Sequence, residues 1–273
     1  MQTRKESKSY WSYVSLEEEQ IRCKQLVSDD GKRVDDRKPD EIRPTFAQLG
    51  MITEATGSAY IEVNKTKVIC AVYGPKESGK RSEFNVEGKV KCTIKFAPFS
   101  CRLKDDPTQS AQENEFASII TRALERAVCL DKLPKVILDV DITVLDCDGS
   151  VLAAALMCSS LALSCAGVEM IDLPVACSVS KCGKHFLTDP SLLEEYKTDK
   201  LFYNSSVSGM VTIAYLPSFD ELIAVLQQGK MTVEDAQKAI ENCIDGSLRM
   251  KDLMRQCLAN RHKQSQNINN VIR

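Results

Sequence analysis

Residues 142–173 read ITVLDCDGSVLAAALMCSSLALSCAGVEMIDL, and two opposite hydrophobic patterns meet inside them. Up to Leu145 the pattern is that of a strand, closing at Asp148-Gly149. From Ser150 to Ala166 the chain is apolar on nearly every side and stops at Gly167, which predicts a buried helix with a glycine terminator. Val151 to Ala166 is too short to span a hydrocarbon layer of about 30 Å.

Working outward, KVILDVDITVL supplies the strand, with Asp139 and Asp141 alternating against Leu138, Val140 and Ile142. The cluster Asp139, Asp141, Asp146 and Asp148 resembles a cation site, but alternation explains its spacing as the wet face of one strand. Further upstream, Ser110 and Glu113 have the spacing of a capping box. Phe116, Ile119, Ile120, Ala123, Leu124, Ala127 and Val128 follow at helical intervals. Before that helix, GSAYIEV and TKVICAVY flank Asn64-Lys65 as a hairpin. KVKCTIKF alternates, with Val90, Cys92, Ile94 and Phe96 on one face and Lys89, Lys91, Thr93 and Lys95 on the other.

Downstream, PVACSVS, GMVTIAYL and ELIAVLQ read as strands, with His185 in a surface turn. Thr232 and Asp235 open a last helix that turns Ala236, Ala239, Ile240, Cys243, Ile244, Leu248 and Met254 inward. Strands and helices are partly segregated, which predicts an α+β domain rather than a doubly wound sheet. The expected division is an N-terminal extension over 1–30 (holding Tyr10, Trp11 and Tyr13), one domain over 31–262 and a polar tail over 263–273.

The chain has 273 residues, 43% of them hydrophobic, enough for a sizeable core. Lys+Arg 36 against Asp+Glu 38 excludes a globally basic nucleic-acid coat, so any RNA contact is a local patch. The 12 cysteines form no C-x-x-C pair, and with 2 histidines they lack a zinc pattern. Cys70, Cys129, Cys158, Cys165, Cys243 and Cys257 sit in apolar runs, as buried reduced thiols would. A polar residue 1–30 segment predicts no signal peptide, and an intracellular, soluble protein is expected.

Several strings together resemble the RNase PH-like family: GKRVDDRKPDEIRP at Gly31–Pro44, GSAYIEVNKTKVICAVYGP at Gly57–Pro75, and the 142–173 stretch itself. Within it, IRPTFAQLGMI, FAPFS at Phe96–Ser100, GVEMIDL and LTDPSLLEE resemble a ring subunit of the RNA exosome. The resemblance covers roughly Gly31 to Cys257. It implies an RNase PH-like fold, of the ribosomal protein S5 domain 2 type, with mixed sheets packed against helices. It also implies a hexameric ring of unlike RNase PH-like subunits, capped by S1/KH proteins, that threads single-stranded RNA to a separate nuclease. Nucleus, nucleolus and cytoplasm are the implied locations, with no cofactor, metal or membrane involved.

Phosphorolysis brings two anions together, so its site needs an arginine and helix N-terminal N–H groups around the attacking phosphate. In active family members the Asp-Gly turn continues Gly-Thr-Arg. Here it continues Ser150-Val151-Leu152, with two aliphatic groups in place of the hydroxyl and the cation. An aspartate expected just before the MVTIAYLP strand is likewise missing around Ser208 and Met210. Asp189, Glu194 and Glu195 fall where active members place another acid. The resemblance therefore implies a degenerate site and a non-catalytic subunit. An active phosphorolytic 3′ exoribonuclease is the alternative, and a scaffold that never touches RNA is a third. Lys76, Lys80, Arg81, Arg102 and Lys104 lie in segments where family members present RNA-facing pore loops. They are the candidate RNA-binding residues.

Overall fold

The computed structural model describes Arg33 and residues 35–77, 88–100, 107–183, 185–195 and 208–272. The elements run β1 Thr45–Leu49, β2 Gly57–Val63, β3 Thr66–Glu77, β4 Lys89–Phe96, α1 Pro107–Ala127, β5 Val136–Asp146 and α2 Val151–Cys165. Then come β6 Val175–Cys182, β7 His185–Thr188, β8 Gly209–Leu216, β9 Glu221–Gly229 and α3 Val233–Ile272. The expected hairpin is β2–β3, and Asn64 turns it with a left-handed φ of 55°.

The strands form a five-stranded sheet, β1-β2-β3-β5-β4, and a four-stranded one, β7-β6-β8-β9. Only β4 and β5 among these described pairs run parallel, linked through α1. Helix α2 packs on β2 and β3 of the first sheet and on β6 and β8 of the second. This explains its composition: every residue from Val151 to Leu163 is buried, because a layer lies on each side. Helix α3 covers β6 and β8 and reaches β1, while α1 lies on β4 and touches β9. The α+β reading with mixed sheets holds.

Sequence and structure part in three places. Helix α1 begins at Pro107, so Ser110 lies inside it, and the Glu113 carboxylate accepts the Phe96 N–H at 3.0 Å. Proline has no N–H to lose in a first helical turn, which is why the start moves upstream. On α3, Ala239, Cys243 and Met254 face inward as expected, but Leu248 is 39% exposed. Ser247 and Met250 take the inward stripe instead, one step from Cys243 and Met254 at helical spacing. His185 is exposed as expected but opens strand β7 rather than sitting in a turn.

The ten described cysteines are free thiols, five of them buried. Burial pushes the Cys92 thiol up to about 12 and Cys158 higher still, so these side chains act as small apolar groups. No described helix is long and apolar enough to cross a membrane.

Gly57 sets the distance between α2 and the first sheet. A Cβ there would stand 2.4 Å from the Ala162 carbonyl oxygen and 2.4 Å from the Ala166 nitrogen, both backbone atoms that cannot swing away. Gly57→Ala should therefore destabilise the protein by about 1–3 kcal/mol, the usual cost of overpacking, as read by urea unfolding. An unchanged midpoint would show that β2 and α2 are not held this close.

Candidate functional site

Strand β5 passes into α2 through Asp148-Gly149-Ser150, with Gly149 at φ 86° and Ser150 at φ 52°. The turn is crowded. A Cβ on Gly149 would meet the Pro190 carbonyl oxygen at 2.5 Å and the Leu192 nitrogen at 2.7 Å, so only glycine fits. Thr66, at the start of β3, accepts the Asp148 N–H at 3.1 Å and donates its hydroxyl to the Gly149 carbonyl at 2.9 Å.

Arg43 then locks the turn from the other side. Its guanidinium donates to the Asp148 carbonyl at 2.6 Å and to the Gly149 carbonyl at 3.1 Å. The same group grips the Asp189 carboxylate in a fork, Nε to Oδ2 at 2.9 Å and Nη2 to Oδ1 at 2.6 Å, and the Arg43 backbone N–H adds a third bond at 3.0 Å. Beside it, buried Arg33 pairs with Glu194, Nε to Oε1 at 2.9 Å, and donates to the Thr188 carbonyl at 2.6 Å. Arg37 donates to the Glu41 carbonyl at 3.0 Å, to Asp35 at 2.6 Å and, across to the other segment, to the Asp189 carbonyl at 3.4 Å. Three arginines of one segment thus stitch residues 33–43 onto residues 188–194.

The N-terminus of α2 faces this network. Ser150 does not cap the helix with its hydroxyl, which donates instead to the Pro190 carbonyl at 3.2 Å. Its backbone N–H donates to the Glu195 carboxylate at 2.6 Å. An anion is therefore already placed where the partial positive charge of the helix would draw a phosphate, and it is the protein's own.

Burial alone would raise the Asp189 carboxyl, but the bonds and charge of Arg43 hold it below the ordinary carboxylate range. Burial also acts on Asp148 and wins there: its carboxyl sits above the usual value, although Arg43 and Lys65 pull it down. Beneath the first turns of α2, a cavity of about 10 Å³ lies among Ser150, Ala154, Met157, Ser178, Asp189 and Met250. That is room for about one water.

The expected site residues are found as follows. Val151 and Leu152 point into the core at 7% and 3% exposure, so neither position offers a group to a ligand. Ser208 is buried just before β8, and Met210 is half-buried within it, in register with Ser180 of β6. The expected remnant acids are all engaged: Asp189 by Arg43, Glu194 by Arg33 and Glu195 by the Ser150 N–H. Sequence reasoning found no arginine near the turn, yet Arg43 reaches it from 105 residues upstream. The signal was present in the string GKRVDDRKPDEIRP, but nothing in its spacing says where a guanidinium 105 residues away will land.

Lys76 is not in a loop. It lies near the end of β3, paired to Asp139 at 2.8 Å with its ammonium 5.4 Å from the Tyr73 ring centre. Asp139 and Asp141 lie on the wetter face of β5, as the alternation predicts. Lys80, Arg81, Arg102 and Lys104 lie outside the described residues, as do Tyr10, Trp11 and Tyr13.

Residues 41–169 match the model of the 3′ exoribonuclease family, domain 1, and residues 172–246 match domain 2 of that family. The chain belongs to the RNase PH family. It is 34% identical over 231 residues to the exosome complex component RRP41-like of Arabidopsis thaliana, spanning 84% of this chain and 85% of that protein. It is 33% identical over 238 residues to the exosome complex component MTR3 of Homo sapiens, spanning 81% and 84%. The crystal structure of rice (Oryza sativa) Rrp46 superposes with a TM-score of 0.69 at 25% identity, over 83% of this chain and 100% of that one. An Archaeoglobus fulgidus exosome with RNA bound to the active site shares the fold, with a TM-score of 0.73 at 22% identity over 88% and 98%.

Replacing Asp189 by asparagine leaves the buried Arg43 charge without its counterion. Asp189→Asn should cost about 3–5 kcal/mol at neutral pH. Because the folded carboxyl is depressed, the pair's contribution is complete above the ordinary carboxylate value of about 3.9 and is lost as pH falls through the lower folded value. Urea unfolding of both forms should therefore show a gap that closes on acidification below about pH 4. A gap that stays constant across that range would contradict the ion-pair account.

Proposed function

We propose that this chain is a non-catalytic subunit of the RNase PH-like ring of an RNA exosome, supporting 3′-to-5′ processing and degradation by passing RNA to a separate nuclease. One observation carries the reading. The α2 N-terminus, where the attacking phosphate would sit, holds the Glu195 carboxylate at 2.6 Å from the Ser150 nitrogen, with Val151 and Leu152 buried beside it. A phosphate arriving there meets a like charge and no guanidinium. Arg43 cannot serve, since it already bonds two carbonyls and both oxygens of Asp189. Removing one donor from a buried anion site costs about 2.7–4 kcal/mol in the transition state, and here both the hydroxyl and the cation are replaced.

The likeness to proteins named exosome components supports the assembly part of the proposal. In it, unlike RNase PH-like subunits are the ring neighbours and S1/KH proteins form the cap. Nucleus, nucleolus and cytoplasm are the places where such a ring acts. RNA passes the subunit by backbone charge, with Lys80, Arg81, Arg102 and Lys104 as the proposed contacts. Lys76 has a smaller share, because Asp139 compensates it.

Two experiments test the two halves. The purified chain, given RNA with a 3′ hydroxyl and inorganic phosphate, should release no nucleoside diphosphate. Release by an uncontaminated preparation would make it the active exoribonuclease instead. In reconstituted rings, reversing Lys80, Arg81, Arg102 and Lys104 to glutamate should weaken RNA binding for all sequences alike, since phosphate contacts carry no base information. The salt slope should fall by roughly 0.7 for each phosphate of the single strand that is no longer neutralised. Equal affinity at low salt would assign the subunit a purely architectural part.

A further inference from the structure

The cavity under the first turns of α2 has no part in the proposed function. It lies against one face of the helix, where Ser150, Ala154 and Met157 recur at helical spacing, and Ser178 of β6, Asp189 and Met250 of α3 close it from the other side. Most of the wall is apolar. Ser150, Ser178 and Asp189 nevertheless bring polar side chains to it, and all three residues are buried. The volume of about 10 Å³ matches a single water, and an internal water needs about two to four polar partners.

The backbone sets these groups side by side. The Asp189 N–H donates to the Ser178 carbonyl at 2.8 Å, one step beyond the Val179–Thr188 pair of the β6–β7 hairpin. What their side chains have left to bond is complementary. The Ser178 and Thr212 hydroxyls lie 2.9 Å apart, and of their two hydrogens only one can sit in the shared bond. With Thr212 donating, the spare hydrogen is that of Ser178, on the cavity wall. On the Asp189 carboxylate, Oδ2 takes two Arg43 donors and Oδ1 takes one, so Oδ1 keeps an acceptor site. The Ser150 hydroxyl donates to the Pro190 carbonyl at 3.2 Å, which leaves its lone pairs to accept.

We propose that this cavity holds one internal water, which accepts the Ser178 hydroxyl hydrogen and donates its own two to Asp189 Oδ1 and the Ser150 hydroxyl oxygen. That makes three bonds, about the usual number for a buried water. The spare donor and the spare acceptors on the wall are then used, which is the condition buried polar groups have to meet. The water also lengthens the Arg43 network. From Arg43 through Asp189 and the water to Ser178 of β6 and Thr212 of β8, it ties the 33–43 segment to the interior of the second sheet. The inference stands apart from the ring proposal, and neither depends on the other.

A crystal structure of the full chain, at a resolution that shows ordered waters, should hold one density peak in the cavity, within about 2.6–3.2 Å of Ser178 Oγ and Asp189 Oδ1. Two substitutions at Ala154, which lines the same wall, test the proposal in solution. Ala154→Cys adds one atom that behaves as apolar, Ala154→Ser adds a hydroxyl, and the two residues have similar helix propensity. If a bonded water is displaced, Ala154→Cys should melt a few degrees below the wild type. Ala154→Ser should then melt between the two, because its hydroxyl can take over bonds of the lost water. A dry cavity reverses the order, since filling it with an apolar atom stabilises and burying a hydroxyl there does not. A cavity without density, an Ala154→Cys variant melting at or above the wild type, or Ala154→Ser melting below Ala154→Cys would each overturn the proposal.

Discussion

The fork between Arg43 and Asp189 is the contact on which the region around the start of α2 depends. It closes between residues 146 positions apart, and the same guanidinium also holds the carbonyls of Asp148 and Gly149. Take it away and four segments lose their common anchor: the 33–43 stretch, the hairpin at Thr66, the turn into α2 and the 189–195 stretch. Both partners are buried, so each compensates a desolvation that neither could bear alone. Good geometry is what makes such a pair tolerable, and here every donor of the fork that the structure describes has an oxygen within reach.

The proposed loss of a phosphate seat rests on the same architecture. A helix N-terminus needs an anion or a capping oxygen for its unpaired N–H groups. In this chain the turn is pinned so close to residues 190–195 that Glu195 supplies the anion and Pro190 takes the Ser150 hydroxyl. The positions that follow are then free to join the core, and Val151 and Leu152 do so. Charge near this turn is balanced internally: Arg43 pairs with Asp189 and Arg33 with Glu194.

Much of the fold was legible because its signals are local. The alternation in KVKCTIKF and the apolar ring of 151–163 each prescribe an element regardless of distant partners, and β4 and α2 follow them. The exceptions are equally physical. Pro107 starts α1 upstream of the capping-box serine, and Leu248 yields the inward stripe of α3 to Ser247 and Met250 because the period near β6 runs one step away. That positions 151 and 152 carry buried aliphatic groups was legible from a four-residue string. The placing of Arg43 and Glu195 around the same turn was not, because their separations of 105 and 45 residues are set by tertiary packing.

The central claim is that the α2 N-terminus is already filled by the protein's own carboxylate. Titrating inorganic phosphate into the isotopically labelled chain, and following the backbone amide resonances of Ser150, Val151 and Leu152, tests it directly. The account predicts that these three amides stay in place as phosphate is added, apart from the uniform drift of exposed amides with ionic strength. A saturable shift confined to them would show that phosphate displaces Glu195, and would contradict the account.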